Sequence, residues 1–166
     1  MGNRRITSSF QMVSYKIDKL ELSVKDENAS LLQKNLFPTE QWAFGVALRA
    51  PQYAAKERAY FSGLEVRLIF GDRDHPEIEL DAGICGLFRV IGDDFSPEVE
   101  NKIAKIQFPA ILFPYLRAAI TNILASAGFG SVVLPLININ ALAEDQLKDV
   151  EIIRLGEDND ANDDTE

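Results

Sequence analysis

The 166-residue chain has one histidine, His75, and one cysteine, Cys85. A single thiol excludes an intrachain disulfide and favours a reducing compartment. One imidazole and one thiol cannot supply a zinc ligand set. They make no credible nucleophile pair either, since Cys85 lies in an alternating strand pattern and His75 in a proline-containing turn. Basic residues are also scarce, 17 against 26 acids, for a net charge of −9. A general nucleic-acid binder draws affinity from basic residues on phosphates, so that class is excluded. No phosphate-cradling loop occurs, because Gly128-Phe129-Gly130-Ser131 lacks the Gly-Lys-Ser/Thr ending. The acid pairs Asp93–Asp94 and Asp72/Asp74 fall among turn residues and read as turn formers. The chain reads as a non-enzyme that needs no cofactor and no metal.

No apolar stretch follows the basic start MGNRRITSS, so no secretory signal is read there, and Ile6 stands where a myristoylation motif needs Ser or Thr. The expected location is cytoplasmic. Apolar residues make up 46% and charged residues 26%, ordinary values for one soluble domain with its own core. Three regions are expected: a flexible N-terminus at 1–9, a single domain at 10–156 and an acidic disordered tail at 157–166. The tail, EDNDANDDTE, holds six acids, no base and no large apolar side chain. Such a segment cannot bury enough surface to offset its ordering entropy.

Within the domain, residues 10–24 alternate with two phase changes. Phe10 and Met12 share one phase, Val13, Tyr15 and Ile17 the other, and Leu20, Leu22 and Val24 return to the first. Each change requires a bulge or kink. Residues 25–41 read as a loop around Pro38. Three cleaner strands follow: Trp42 to Leu48 until Pro51, Tyr60 to Phe70, and Ile78 to Phe88 after the turn at 71–76. Their wet face carries Glu65, Arg67, Glu79 and Asp81. One wet face and short connections predict an antiparallel sheet. Beyond Gly92 the period changes. Ser96-Pro97-Glu98 can start a helix, but Pro109 and Pro114 interrupt, which predicts a long helix over roughly 111–127 stopped by Gly128. A second helix is expected from about Asn140, its cap, to near Val150. The predicted fold class is α+β, a four-stranded antiparallel sheet followed by a long helix and a second C-terminal helix.

Between Ile106 and Ala143 the only charged residue is Arg117. A helix covering one face of a monomeric sheet should show a polar side, and this one barely does. Pro114, Arg117, Thr121, Asn122 and Ser126 break up a membrane span, and basic anchors are missing. The reading is a helix buried on two sides, by its own sheet and by another subunit.

Residues 108–121, FPAILFPYLRAAIT, resemble the helix signature P-x-I-L-F-P-Y-x-R-x-x-I of the SecB export chaperones. The match falls on Pro109, Ile111, Leu112, Phe113, Pro114, Tyr115, Arg117 and Ile120. Asn138-Ile139-Asn140-Ala141-Leu142 is similar to that family's N-F-D-A-L. Phe10-Gln11, Gln33-Lys34 ahead of Pro38, Gly86-Leu87-Phe88 and Gly92 extend the likeness across roughly 10–145. The resemblance implies a homotetramer built as a dimer of dimers, with Leu116, Arg117, Ile120 and Ile123 at the oligomer interface. It implies ATP-independent holding of unfolded or extended client polypeptides, with SecA as the candidate recipient and no membrane insertion. The implied client groove has Leu36 and Phe37 as one wall, Ile139 and Leu142 opposite, and Trp42, Phe44, Ile78 and Leu80 between them. The implied docking face presents Glu79 and Asp81, but Lys19 and Ser23 stand where the family carries acids. Leu36 stands where the family's loop carries Trp, and Ile139 where it carries an aromatic. Two other functions stay open: a dedicated chaperone for one client such as an antitoxin, and a structural oligomeric adaptor without a groove.

Overall fold

The computed structural model describes residues 8–25, 42–130 and 132–156. The expected N-terminal segment, the loop with Leu36 and Phe37, and the acidic tail lie wholly or mostly outside them. Strand β1 (Phe10–Val24) pairs antiparallel with β5 (Pro76–Val90), and β5 pairs with β4 (Ala59–Gly71). The register of β1 slips between Met12 and Ser14 and again between Ile17 and Lys19, where the apolar phase changes in the sequence. On the far side of β4 lie β2 (Trp42–Leu48) and β3 (Gln52–Ala54), paired with successive stretches of the same strand. They are two halves of one strand, broken at Arg49-Ala50-Pro51. A further short strand, β6 (Ile153–Leu155), adds parallel to β3. Among the described residues the sheet therefore has six strands where four were expected. Pro51 interrupts the run without ending it, and three-residue strands are too short to show alternation.

The helix differs more. It is continuous from Pro97 to Ser126, as α1 (Pro97–Lys102), a π-helical turn at Ile103–Gln107, and α2 (Phe108–Ser126). The Phe108 N–H reaches back five residues to the Ile103 carbonyl. That wider turn accommodates Pro109, which lacks an N–H and whose ring would strike the carbonyl four residues back in a regular helix. By length and composition this helix could cross a membrane. Its apolar ridge is committed elsewhere: Leu112, Leu116, Ile120 and Leu124, four residues apart, are all 0% exposed against the sheet. Phe108 stacks on Phe88 at 4.0 Å between ring centroids. Gly86 is bare beneath the helix, and a Cβ there would stand 2.6 Å from a methyl of Leu112. Helix α3 (Ile139–Gln146) follows an irregular stretch and is capped by Asn138, whose side chain accepts from the Ala141 N–H at 3.1 Å. The cap is thus Asn138 rather than Asn140, because residue 138 still has extended backbone.

The C-terminal strand is latched to the helix start. Arg154 donates to both oxygens of Glu100, at 2.8 and 2.7 Å, and the Tyr60 hydroxyl donates to the same carboxylate at 2.5 Å. Arg154 also lies over the Tyr53 ring, 5.0 Å from its centroid. Burial pushes the Glu100 carboxyl up, but the bonds from Arg154 and Tyr60 outweigh it and hold the group below the usual carboxylate range. Burial and the Glu100 carboxylate drive the Tyr60 phenol well above its ordinary value.

Candidate binding groove

Trp42 and Phe44 point to the helix side of β2, and the chain leaving α2 passes beside them. Gly128 and Gly130 take positive φ values of 92° and 72°, turning the backbone into a stretch that glycine adopts readily. The Thr121 hydroxyl donates to the Val132 carbonyl at 3.0 Å and pins that stretch to α2. Residues 132–135 then close a cavity of about 70 Å³ against Trp42, Phe44 and Leu68. Val132 and Leu134 face inward and are buried, while Val133 is 52% and Leu136 83% exposed. An apolar wall thus stands open to solvent beside two half-buried aromatics.

Of the expected groove residues that are described, Trp42 and Phe44 line this cavity. Ile78 and Leu80 are 0% exposed, because their side of β5 packs into the core, and so they form no floor. Ile139 is buried and contributes instead to a separate, more open depression of about 550 Å³ with Ile106, Ala110 and Leu136. Leu142 is half-buried against the core. Leu36 and Phe37 are outside the described residues. The wall at 132–135 was not anticipated. Its signal was an uncharged run between Gly130 and Asn138, too irregular to read as helix or strand.

The outer edge of β2 has its own geometry. The Arg49 N–H bonds the Gly63 carbonyl on β4, so by strand alternation the N–H and C=O groups of Phe44, Val46 and Leu48 point away from the sheet. At one end of this edge Gln146 replaces a strand. Its amide NH₂ donates to the Val46 carbonyl at 2.9 Å, and its carbonyl accepts from the Leu48 N–H at 2.7 Å. No described residue bonds the Phe44 N–H or C=O.

On the opposite sheet face, Glu79 and Asp81 lie beside Arg67. Arg67 donates to Glu79 and stands 3.9 Å from Asp81. Ser23 pairs with Glu79 across β1 and β5, Glu21 with Asp81 and Lys19 with Gly83. Arg49 crosses the same face over two glycines. A Cβ at Gly63 or Gly83 would fall 3.0 or 2.5 Å from its side chain. Arg49 reaches Asp18 in a two-pronged pair at 2.5 and 2.9 Å and touches Glu65 at 3.0 Å. The Arg49 bonds hold the Asp18 carboxyl below its usual range. Asp18 is the extra residue of the second bulge in β1, which turns it onto this face. Two arginines thus hold four of these acids, Asp18 and Glu65 on Arg49 and Glu79 and Asp81 on Arg67.

The residues expected at an oligomer interface fall into two settings. Leu116 and Ile120 belong to the buried ridge, while Arg117 and Ile123 are half-buried at its flanks. The exposed side of α2 carries Ala110, Pro114, Tyr115, Ala118, Asn122 and Ala125, none of them charged. Among the described residues, no three His, Cys, Asp or Glu side chains converge as a metal set would.

A family model described as preprotein translocase subunit SecB matches residues 9–150. Protein-export protein SecB of Anaplasma phagocytophilum is 28% identical over 139 residues, covering 83% of this chain and 79% of that protein. The SecB of Dichelobacter nodosus is 28% identical over 133 residues, covering 77% of this chain and 80% of its own length. Among solved structures, a SecB-like chaperone of Mycobacterium tuberculosis, in complex with a ChAD peptide from the HigA1 antitoxin, superposes with a TM-score of 0.57. It shares 14% identity and covers 78% of this chain and 91% of its own.

Proposed function

The chain belongs to the SecB family, and from that premise we propose that it is an ATP-independent chaperone holding unfolded preproteins in a translocation-competent state for export. It acts in the cytoplasm as a homotetramer, a dimer of dimers joined through the uncharged outer side of α2. The observation that carries the client-holding reading is the cavity at Trp42 and Phe44 with its exposed wall at Val133. An adaptor with no client would bury or charge such a wall. Covering ~400 Å² of client apolar surface supplies ~10 kcal/mol gross at ~25 cal/mol/Å², much of it offset by ordering the client. Broad, moderate affinity follows, and several grooves per oligomer add avidity.

Val133→Asp tests the groove. Val133 faces solvent, so folding should survive while suppression of aggregation of an unfolded client falls at least tenfold. Full suppression by a folded Val133→Asp oligomer would move the groove elsewhere.

SecA is the recipient in this reading, and its docking is weak. Complementary charge sets association rate and partner choice, yet Glu79 and Asp81 face Arg67, and Lys19 and Ser23 add no acid. SecA binding should weaken steeply between low and physiological salt. No binding at any salt would favour the dedicated single-client chaperone.

A further inference from the structure

We propose that a client segment adds to the β2 edge at Phe44 as a further strand, and that Gln146 fixes where that strand must stop. The inference rests on the client-holding reading but concerns how the backbone of the client is gripped. An outward N–H and C=O on one strand residue are the pair of groups through which a further extended backbone adds to a sheet edge. At Phe44 both point outward, and no described residue bonds them. Two residues on, the pairing is already taken. The Gln146 amide gives Val46 and Leu48 the donor and acceptor that a neighbouring peptide group would give.

This placement dictates what is recognised. A client residue opposite Phe44 sends its side chain to the same face of the sheet, the face on which Phe44, Leu68 and Val133 line the cavity. Its neighbours point to the other face, over Ala43 and Gly45. At Gly45 nothing lies within 4 Å of where a Cβ would stand, so bulky neighbours are tolerated there. The ligand is therefore a short extended polypeptide with an apolar side chain at alternate positions, and chain beyond the stop adds no backbone bonds. Gln146 acts as a positioning residue for the client.

The test uses the full chain with two acetylated peptides of alternating leucine and serine, one short and one long, and a copy of each N-methylated at alternate positions. In the unaltered protein the short and long peptides should bind equally, and the N-methylated copies about tenfold more weakly, as loss of one or two backbone bonds implies. In Gln146→Ala the long peptide should gain about tenfold while the short one is unchanged. Gln146→Leu, which keeps the bulk without the amide, should behave the same way. A melting scan identifies any variant that has merely unfolded, and the other then decides. A purely structural Gln146 would lower melting temperature without creating any dependence on peptide length, and that result overturns the stop. If N-methylation costs nothing while aggregation is still suppressed, strand addition is wrong and the client-holding reading survives. If no peptide binds and aggregation suppression is absent as well, both fail together. Hydrogen exchange at the Phe44 amide should be fast in the free protein. Protection that grows with protein concentration would place a second copy on this edge and overturn the proposal.

Discussion

Gly63 and Gly83 clear a lane along which one arginine crosses the sheet, and the pair at its end, Asp18 and Arg49, could not have been read from the sequence. Its residues are separated by 31 positions, and what aligns them is a bulge whose existence, but not whose direction, follows from the phase change. Glu100 was equally hidden, an ordinary acid in a helix start until Tyr60 and Arg154 close over it. Both carboxyls are held below their ordinary values, 3.8 for Asp18 and 4.5 for Glu100. Their stabilisation is therefore complete above those values and is lost as pH falls through the lower folded ones. Glu100→Gln should cost about 1–3 kcal/mol at neutral pH. The melting temperatures of variant and parent should converge under strong acid; a gap that persists there would deny the pair its role. Arg67 carries the other residue-level prediction. Arg67→Ser releases Glu79 and Asp81 and should strengthen the proposed SecA binding about two- to tenfold at low salt, with exposed pairs worth ~0.2–1 kcal/mol each. Unchanged affinity in that titration would remove the neutralisation argument.

At the scale of elements, long alternation and the four-residue ridge of the helix were readable, because each repeats often enough to exceed local noise. Pro109 misled because a proline ends a regular helix, and no local sequence signal announces a π turn. Strands of three residues left no trace, since β3 and β6 exist through pairing with neighbours already in place. The cavity's lining was legible only in part. Alternation placed Trp42 and Phe44 together on one face of a strand, whereas the wall at 132–135 depends on where two glycines turn the chain. The contact between α2 and β5 joins two stretches singled out separately in the sequence, the helix signature and Gly86-Leu87-Phe88. Leu112 sits over bare Gly86, so Gly86→Ala should force the helix off the strand and destabilise by about 1–3 kcal/mol. Denaturant unfolding at unchanged slope would measure this, and a neutral result would mean the helix can ride outward freely.

For the whole molecule, α2 buries leucines and isoleucines on one side and presents uncharged, mostly small residues on the other. That division separates folding from assembly. Leu116→Asp places a charge in the core and should unfold the chain. Ala118→Asp places one on the exposed side and should leave each subunit folded while dissociating the proposed tetramer. Sedimentation of both variants distinguishes the cases, and a monomeric parent at micromolar concentration would remove the assembly altogether.

The position of β1 has a kinetic consequence. Strands β4 and β5 are joined by a four-residue turn and can zip as a local hairpin, whereas β1 must wait for β5, with β2, β3 and β4 emerging between them. Closing that long loop before its contacts form is slow, so a growing chain leaves Phe10, Met12, Ile17 and Leu22, which the folded sheet and helix cover, exposed until β5 has been synthesised. During its own birth, this holder of unfolded chains is for a time an unfolded client itself.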